Sequence, residues 1–193
     1  GSWSNVWDAN DPSGDIDATI FDYWFLKIVG VEEDSDAMTR ARDFILLRGG
    51  LEGAQTMTKV FLSMFGNFEW DRVVHIPLFA LDDSIIGRLV SFEDEVAQWV
   101  WPHVMPIAYL RHNRVTMAPP SNFRLPELYV DPNRYPSMIT VEQKPIFGAR
   151  KQAPTHTRGL MARMFSIIQP AGSFGTYSVS TLLSSVCMHH FYG

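Results

Sequence analysis

From Met38 to Phe65 the apolar positions recur at intervals of three and four residues, in two successive blocks. Met38, Ala41, Phe44, Ile45 and Arg48 mark one stripe, and Met57, Val60, Phe61, Met64 and Phe65 mark the other. That spacing places each set on one face of an α-helix. The first helix is predicted to end at Gly49-Gly50 and the second at Gly66, followed by an aromatic link to Trp70. Gly50 and Gly66 stand where a left-handed cap is expected, a conformation that a Cβ disfavours. Two helices joined this closely are predicted to lie nearly antiparallel, as an αα-hairpin. The same periodicity predicts helices over 17–29, 36–48, 54–65, 94–111, 157–168 and 178–191, and so an all-α chain.

Polar residues punctuate this pattern. Asp15 or Asp17 is placed to cap the first helix, and Asp34, Ser35 or Asp36 the second, by accepting orphan amide hydrogens. Pro102 and Pro106 each remove a backbone donor, so the fourth helix is expected to bend or begin near one of them. Residues 68–93 and 112–156 are rich in proline, asparagine and isolated charges and read as long surface connections, 112–156 being the longer. Two segments resemble each other. Gly1-Ser2-Trp3 precedes a polar stretch and the helix containing Thr19, which closes at Gly30; Gly172-Ser173-Phe174 precedes a shorter polar stretch and the helix containing Thr181, which closes at Gly193. Such self-similarity suggests stacked helical hairpins, and makes the opening Gly-Ser-Trp read as the middle of a natural motif.

Composition narrows the function classes. With 193 residues, 46% hydrophobic and 19% charged, the chain suits one folded domain or part of a larger one. Its 13% aromatic content, including 6 Trp and 13 Phe, supplies large apolar walls for a core or an apolar ligand. The net charge of -5 offers no basic excess to neutralise phosphates, so no nucleic-acid partner is expected. One cysteine, Cys187, cannot form an internal disulfide, which points to a reducing compartment and a buried, inert thiol. No apolar run approaches the roughly 20 residues needed to span a bilayer.

The polar clusters point to no metal or catalytic centre. The acidic runs Glu32-Glu33-Asp34-Ser35-Asp36 and Asp82-Asp83 do not stand at i, i+4 on a helix, where a magnesium-diphosphate site would want them, and read as solvated loops. His189 and His190 are adjacent and face different sides of a helix, so they cannot chelate together. His103, His112 and His156 have no spaced cysteine or carboxylate partner, and no nucleophile-elbow pattern occurs. Arg111-His112-Asn113-Arg114 reads as a solvated helix end, where cations complement the dipole. Neither a cofactor nor a metal is expected.

ARDFILLRGGLEGAQTMTKVFLSMFGNFEW, with its Gly-Gly turn, its Thr58-Lys59 helix and its Trp70 tail, resembles the squalene–hopene cyclase family of class II terpene cyclases, especially the sporulenol (tetraprenyl-β-curcumene cyclase) branch. The order of further matches agrees: the first Gly-Ser-Trp repeat with its helix, then Trp99-Val100-Trp101-Pro102, then Pro126-Glu127-Leu128-Tyr129, then the degenerate repeat Gly172-Ser173-Phe174-Gly175-Thr176-Tyr177. The resemblance implies an α–α barrel, here an incomplete α/α toroid of helical hairpins, forming part of the inserted N-terminal barrel over 1–193. It implies a linear polyprene substrate such as squalene, protonated by a DxDD aspartate and folded within aromatic walls. It also implies a second barrel as partner, and a cytoplasmic protein held peripherally on the inner face of a membrane, whose headgroups the Arg111–Arg114 cluster could meet. This chain contains no DxDD. Asp15-Ile16-Asp17-Ala18 falls in the first repeat and reads as helix capping or a solvated turn, so no residue here is assigned a catalytic role. The acid is expected beyond Gly193, in a longer cyclase of which this chain is a portion, inactive alone. Trp99 matches a substrate-lining aromatic position, with Trp101 as the alternative register, and Tyr177 and Ser178 match the stretch that approaches the cavity. Trp99 could equally be a core residue, and Ser178 a helix cap. Outside the enzyme class, a non-catalytic α–α module binding an apolar ligand or protein partner remains open. A protein prenyltransferase barrel is disfavoured by the absence of a zinc-ligand pattern.

Overall fold

The computed structural model describes residue 3 and residues 14–81, 100–117, 120–135 and 154–193. Among the described residues the secondary structure is helical, without strands; Ile168 and Phe174 form one isolated bridge. The α-helices among the described residues are α1 (Ile16–Ile28), α2 (Asp36–Leu47), α3 (Thr56–Met64), α4 (Trp101–Asn113), α5 (Thr155–Ser166) and α6 (Ser178–Tyr192), interspersed with short 3-10 turns. The all-α expectation holds, and the helix ends fall within two residues of those predicted, except that the fourth helix begins at Trp101 where the periodicity predicted 94. The chain forms two units: Gly1–Val73 with Thr116–Val141, and Val74–Val115 with Glu142–Gly193.

In the first unit, Asp15 caps α1 by accepting the Ala18 amide hydrogen at 2.8 Å. Asp17 reaches further and accepts the Gln55 amide hydrogen at 2.9 Å, which ties α1 to the start of α3. Both acids therefore do structural work. At α2 the cap position belongs to Ser35, but its hydroxyl makes no capping bond. α3 ends in a Schellman motif: Gly66 has φ of +72°, its amide bonds to the Ser63 carbonyl, and the Asn67 amide bonds to the Leu62 carbonyl at 2.7 Å. After α2 the left-handed cap falls on Gly49, φ +96°, whose amide bonds to the Leu46 carbonyl, while Gly50, expected in that place, is also left-handed at φ +65° but opens the following 3-10 turn.

The predicted pairing of α2 with α3 is corrected by the structure. A 3-10 turn, Gly50–Gly53, separates them, and α2 packs chiefly along α1. α3 meets α1 through edge-to-face ring pairs, Phe21 with Phe61 at 5.7 Å and Trp24 with Phe65 at 5.3 Å. Of the two stripes, Met38, Ala41, Ile45, Val60 and Met64 are buried, whereas Arg48 lies in solvent.

The surface-connection reading of the two loop regions is corrected for their described parts, while 82–93, 118–119 and 136–153 lie outside the described residues. Phe68, Trp70, Leu78 and Leu81 are buried, as are Leu125, Leu128 and Tyr129. Residues 121–134 form three 3-10 turns, Ser121–Phe123, Pro126–Leu128 and Pro132–Arg134, laid over α1, α2 and the end of α3. Asn67, fully buried, holds this strap: its side-chain amide donates to the Phe123 carbonyl at 2.7 Å and its oxygen accepts the Leu125 amide hydrogen at 2.8 Å. The Tyr129 hydroxyl donates to the Asn67 carbonyl at 2.8 Å. From α1, Trp24 donates to the Phe123 carbonyl at 2.8 Å, Lys27 meets Glu127 at 2.7 Å, and the Tyr23 hydroxyl donates to the same Glu127 oxygen at 3.1 Å. Glu33, read as a solvated loop acid, also pairs with Lys27, at 3.0 Å. At the far end Glu52 takes both Arg72 and Arg134.

In the second unit α4 is buried from Met105 to Leu110 on every side, as a helix at the centre of a packed unit must be. α6 packs along it more extensively than any other helix does, with α5 next. α6 turns Ser180, Leu183, Ser184, Cys187 and Phe191 inward at helical spacing. α4 begins at Trp101 with Pro102 in its first turn, where a missing amide hydrogen leaves nothing unpaired.

Candidate functional site

The three residues assigned to a cavity wall fare differently. Trp99 lies outside the described residues, as do Asp82 and Asp83. Tyr177 is the cap residue of α6, in extended backbone conformation, and its side chain is 43% exposed. Its ring stands 5.0 Å from that of His103 at 53°, so the open end of α6 and the first turn of α4 share an aromatic contact. Ser178, the first helical residue, is exposed and makes no capping bond, which corrects its alternative reading as a cap. The helix start is held from within: the Ser180 and Thr181 hydroxyls donate to the Tyr177 carbonyl at 3.0 and 2.8 Å.

Thr181 joins this helix start to the Gly-Ser-aromatic segment before it, because its oxygen accepts the Phe174 amide hydrogen at 3.0 Å. In the first unit Thr19 does the same for Trp3, also at 3.0 Å, while its hydroxyl meets the Asp15 carbonyl at 2.6 Å. A single hydroxyl thus clamps the aromatic residue to the first turn of the following helix in both places.

The remaining candidates described next lie in the second unit. The Arg163 guanidinium lies 4.6 Å above the Trp101 ring and donates to the Leu81 carbonyl at 3.2 Å, so Trp101 is engaged within its own unit. Cys187 is completely buried against the Pro106 carbonyl, at 3.6 Å, and burial pushes its thiol well above the ordinary range, as befits an inert sulfur. The adjacent histidines do face apart: His189 is exposed, while His190 shares a 2.8 Å hydrogen bond with the buried Tyr109 hydroxyl. Burial raises the Tyr109 phenol above its usual range. Arg114 closes α4 in a left-handed cap, φ +49°, next to a last turn carrying Arg111 and His112. Among the described residues no cluster of His, Cys, Asp and Glu could hold a metal ion, and no helix is long and apolar enough to cross a membrane.

What the sequence missed is His103, whose only signal was its place four residues after Trp99. Its contact with Tyr177 joins residues 74 positions apart and leaves no trace in periodicity.

The comparisons accord with this geometry. Residues 1–174 match the family described as the squalene-hopene cyclase N-terminal domain. The chain is 36% identical over 193 residues to the squalene-tetrahymanol cyclase of Tetrahymena thermophila, covering 99% of this chain and 28% of that protein. It is 28% identical over 116 residues to the squalene–hopene cyclase of Alicyclobacillus acidocaldarius, covering 60% of this chain and 18% of that enzyme. A third match, 38% over 80 residues, is to the squalene–hopene cyclase of Zymomonas mobilis, covering 40% of this chain and 11% of that enzyme. This chain thus spans between about a tenth and a quarter of the length of these relatives. A match over nine-tenths of the chain, on an all-helical structure with the motifs in order, shows that the chain belongs to the squalene-hopene cyclase family, in its N-terminal domain.

Proposed function

We propose that this chain supplies part of the helical barrel and cavity wall of a class II cyclase, which protonates a linear polyprene such as squalene and closes it into a polycyclic product. The observation that carries this reading is the 36% identity, over 99% of the chain, to a squalene-tetrahymanol cyclase. Within it Trp99, Tyr177 and Ser178 contribute to the substrate wall, and no residue here supplies the initiating proton, since the DxDD motif is absent from the sequence. A proton donor of that kind acts in a dry, aromatic cavity, and this chain's share is aromatic surface and scaffold. The same reading includes a second barrel as partner and peripheral contact with the membrane from which the polyprene is drawn.

The test is to incubate this chain, alone and within a cyclase bearing DxDD, with squalene and with a C35 polyprene. The expected result is cyclic product only in the second case. Preference for the C35 substrate would assign the sporulenol branch, and binding without conversion in both cases would favour the non-catalytic module. Within an active cyclase, Trp99→Ala is expected to change the product profile more than the unfolding midpoint. A large stability loss with an unchanged profile would make Trp99 a core residue.

A further inference from the structure

Two residues immediately before Tyr177 hold an uncommon backbone. Gly175 has φ of +65° and Thr176 has φ of +66°. Glycine visits that region freely, but a β-branched residue there crowds its own main chain and persists only where the surroundings dictate it. The Thr176 hydroxyl bonds to the Gly175 carbonyl at 2.6 Å, a local contact that any rotamer-adjusted turn could make. The surroundings are provided by α4. A Cβ built on Gly175 would lie 2.4 Å from Cγ and 2.8 Å from Cβ of Pro102. The turn therefore rests on the proline ring with no space for a side chain, and Pro102 is itself locked into the first turn of α4. The residue after the proline is His103, the residue after the threonine is Tyr177, and their rings meet at 5.0 Å.

We propose that Gly175 and Thr176 are positioning residues: seated on Pro102, they aim the Tyr177 ring at His103, so that the two rings present one aromatic face to an apolar chain. The inference rests on the reading of Tyr177 as a wall residue and adds His103 to that wall. A tyrosine at an exposed helix start would otherwise exchange among rotamers. Fixing it beforehand removes an ordering cost from binding, because the ring need not be immobilised by the substrate.

The experiment uses histidine-selective ¹³C NMR on the full chain, with the His103 signal assigned through His103→Gln and its ring-current displacement through Tyr177→Leu. Thr176→Gly opens the turn to many conformations, and Thr176→Asn keeps a residue that tolerates the left-handed region. The expected result is that Thr176→Gly loses most of the displacement at an unchanged helix content, while Thr176→Asn keeps it. Gly175→Ala, whose Cβ is driven into Pro102, is expected to lose it as well. In a DxDD-bearing cyclase, Thr176→Gly and Tyr177→Leu are expected to lower kcat/KM by about two- to tenfold, mainly through KM, with Thr176→Asn near the parent. A displacement retained in both Thr176→Gly and Gly175→Ala would overturn the positioning role and leave the cyclase reading standing. A lost displacement with KM unchanged in both Thr176→Gly and Tyr177→Leu would remove Tyr177 from the wall, and the inference with it.

Discussion

Gly50 shows how much a single position can decide. Its φ is +65°, and a Cβ there would sit 2.5 Å from the Leu128 carbonyl oxygen. Gly50→Ala thus combines backbone strain with a collision against main chain that cannot rotate away. It is expected to cost about 2–3 kcal/mol, read from the urea midpoint. The left-handed conformation was legible from the glycine's place after a helical stripe, but the approach of Leu128 was not, because nothing local marks a residue 78 positions away. The threonine clamps behave alike: Thr19 and Thr181 were visible as recurring residues near helix starts, while their bonds to Trp3 and Phe174 required coordinates. Thr19→Val keeps the shape and removes the hydroxyl, orphaning the Trp3 amide hydrogen. A loss of about 1–2 kcal/mol is expected, and Thr19→Ser should recover most of it in the same unfolding assay.

Among elements, helices and straps divide by how they are stabilised. The helices announce themselves because their hydrogen bonds are local and their burial is periodic, so α1, α2, α3, α5 and α6 could be placed to within a few residues. The strap over 121–134 has no such period. Leu125, Leu128 and Tyr129 are spaced like a helical turn but lie among prolines, and beyond its local 3-10 bonds the segment is held through the Phe123 carbonyl and Leu125 amide by the side chain of Asn67, far away in sequence. Polar, proline-rich composition therefore suggested solvent exposure where there is burial. Pro126-Glu127-Leu128-Tyr129, noticed first as a family motif, now has a physical account: Glu127 answers Lys27 and Tyr23, Leu128 fills the core, and Tyr129 reaches Asn67. Asn67→Ala would leave the Leu125 amide hydrogen without its partner and the Phe123 carbonyl with Trp24 alone. A cost of about 2–4 kcal/mol is expected. Limited proteolysis checks its location: new cleavage within 121–134, with α5 and α6 still protected, is the expected pattern.

For the whole molecule, pH is the most direct global probe. Burial works against the Lys27 ammonium, yet the bonds and charges of Glu127 and Glu33 outweigh it and leave the group above its ordinary range. Burial also raises Tyr23, Tyr109 and Tyr129. Each group holds its proton more tightly when folded than unfolded. Their contribution is therefore complete at neutral pH and is lost as pH climbs past about 10, where the unfolded chain releases protons that the folded one retains. Unfolding midpoints are expected to be flat across neutral pH and to fall steeply above about pH 10, and Lys27→Met should remove part of that fall. At this scale the all-α class and the family could be read from the sequence. The division into two units could not, since it follows from which distant segments meet. The candidate site was half legible: Tyr177 from its motif, its His103 neighbour only from coordinates.

That division has a consequence for birth of the protein on the ribosome. Asn67 emerges well before the residues it must grip, its bond to Leu125 spanning 58 positions. At about 5–20 residues per second, synthesis alone imposes a wait of roughly 3–12 seconds. During it, the core-facing sides of α1, α2 and α3 have no strap, while the second unit's α4 is being made in between. Nascent-chain stages stopped before residue 120 should therefore hold the first unit open to chaperones and proteases, and those stopped after residue 135 has cleared the exit tunnel should close it.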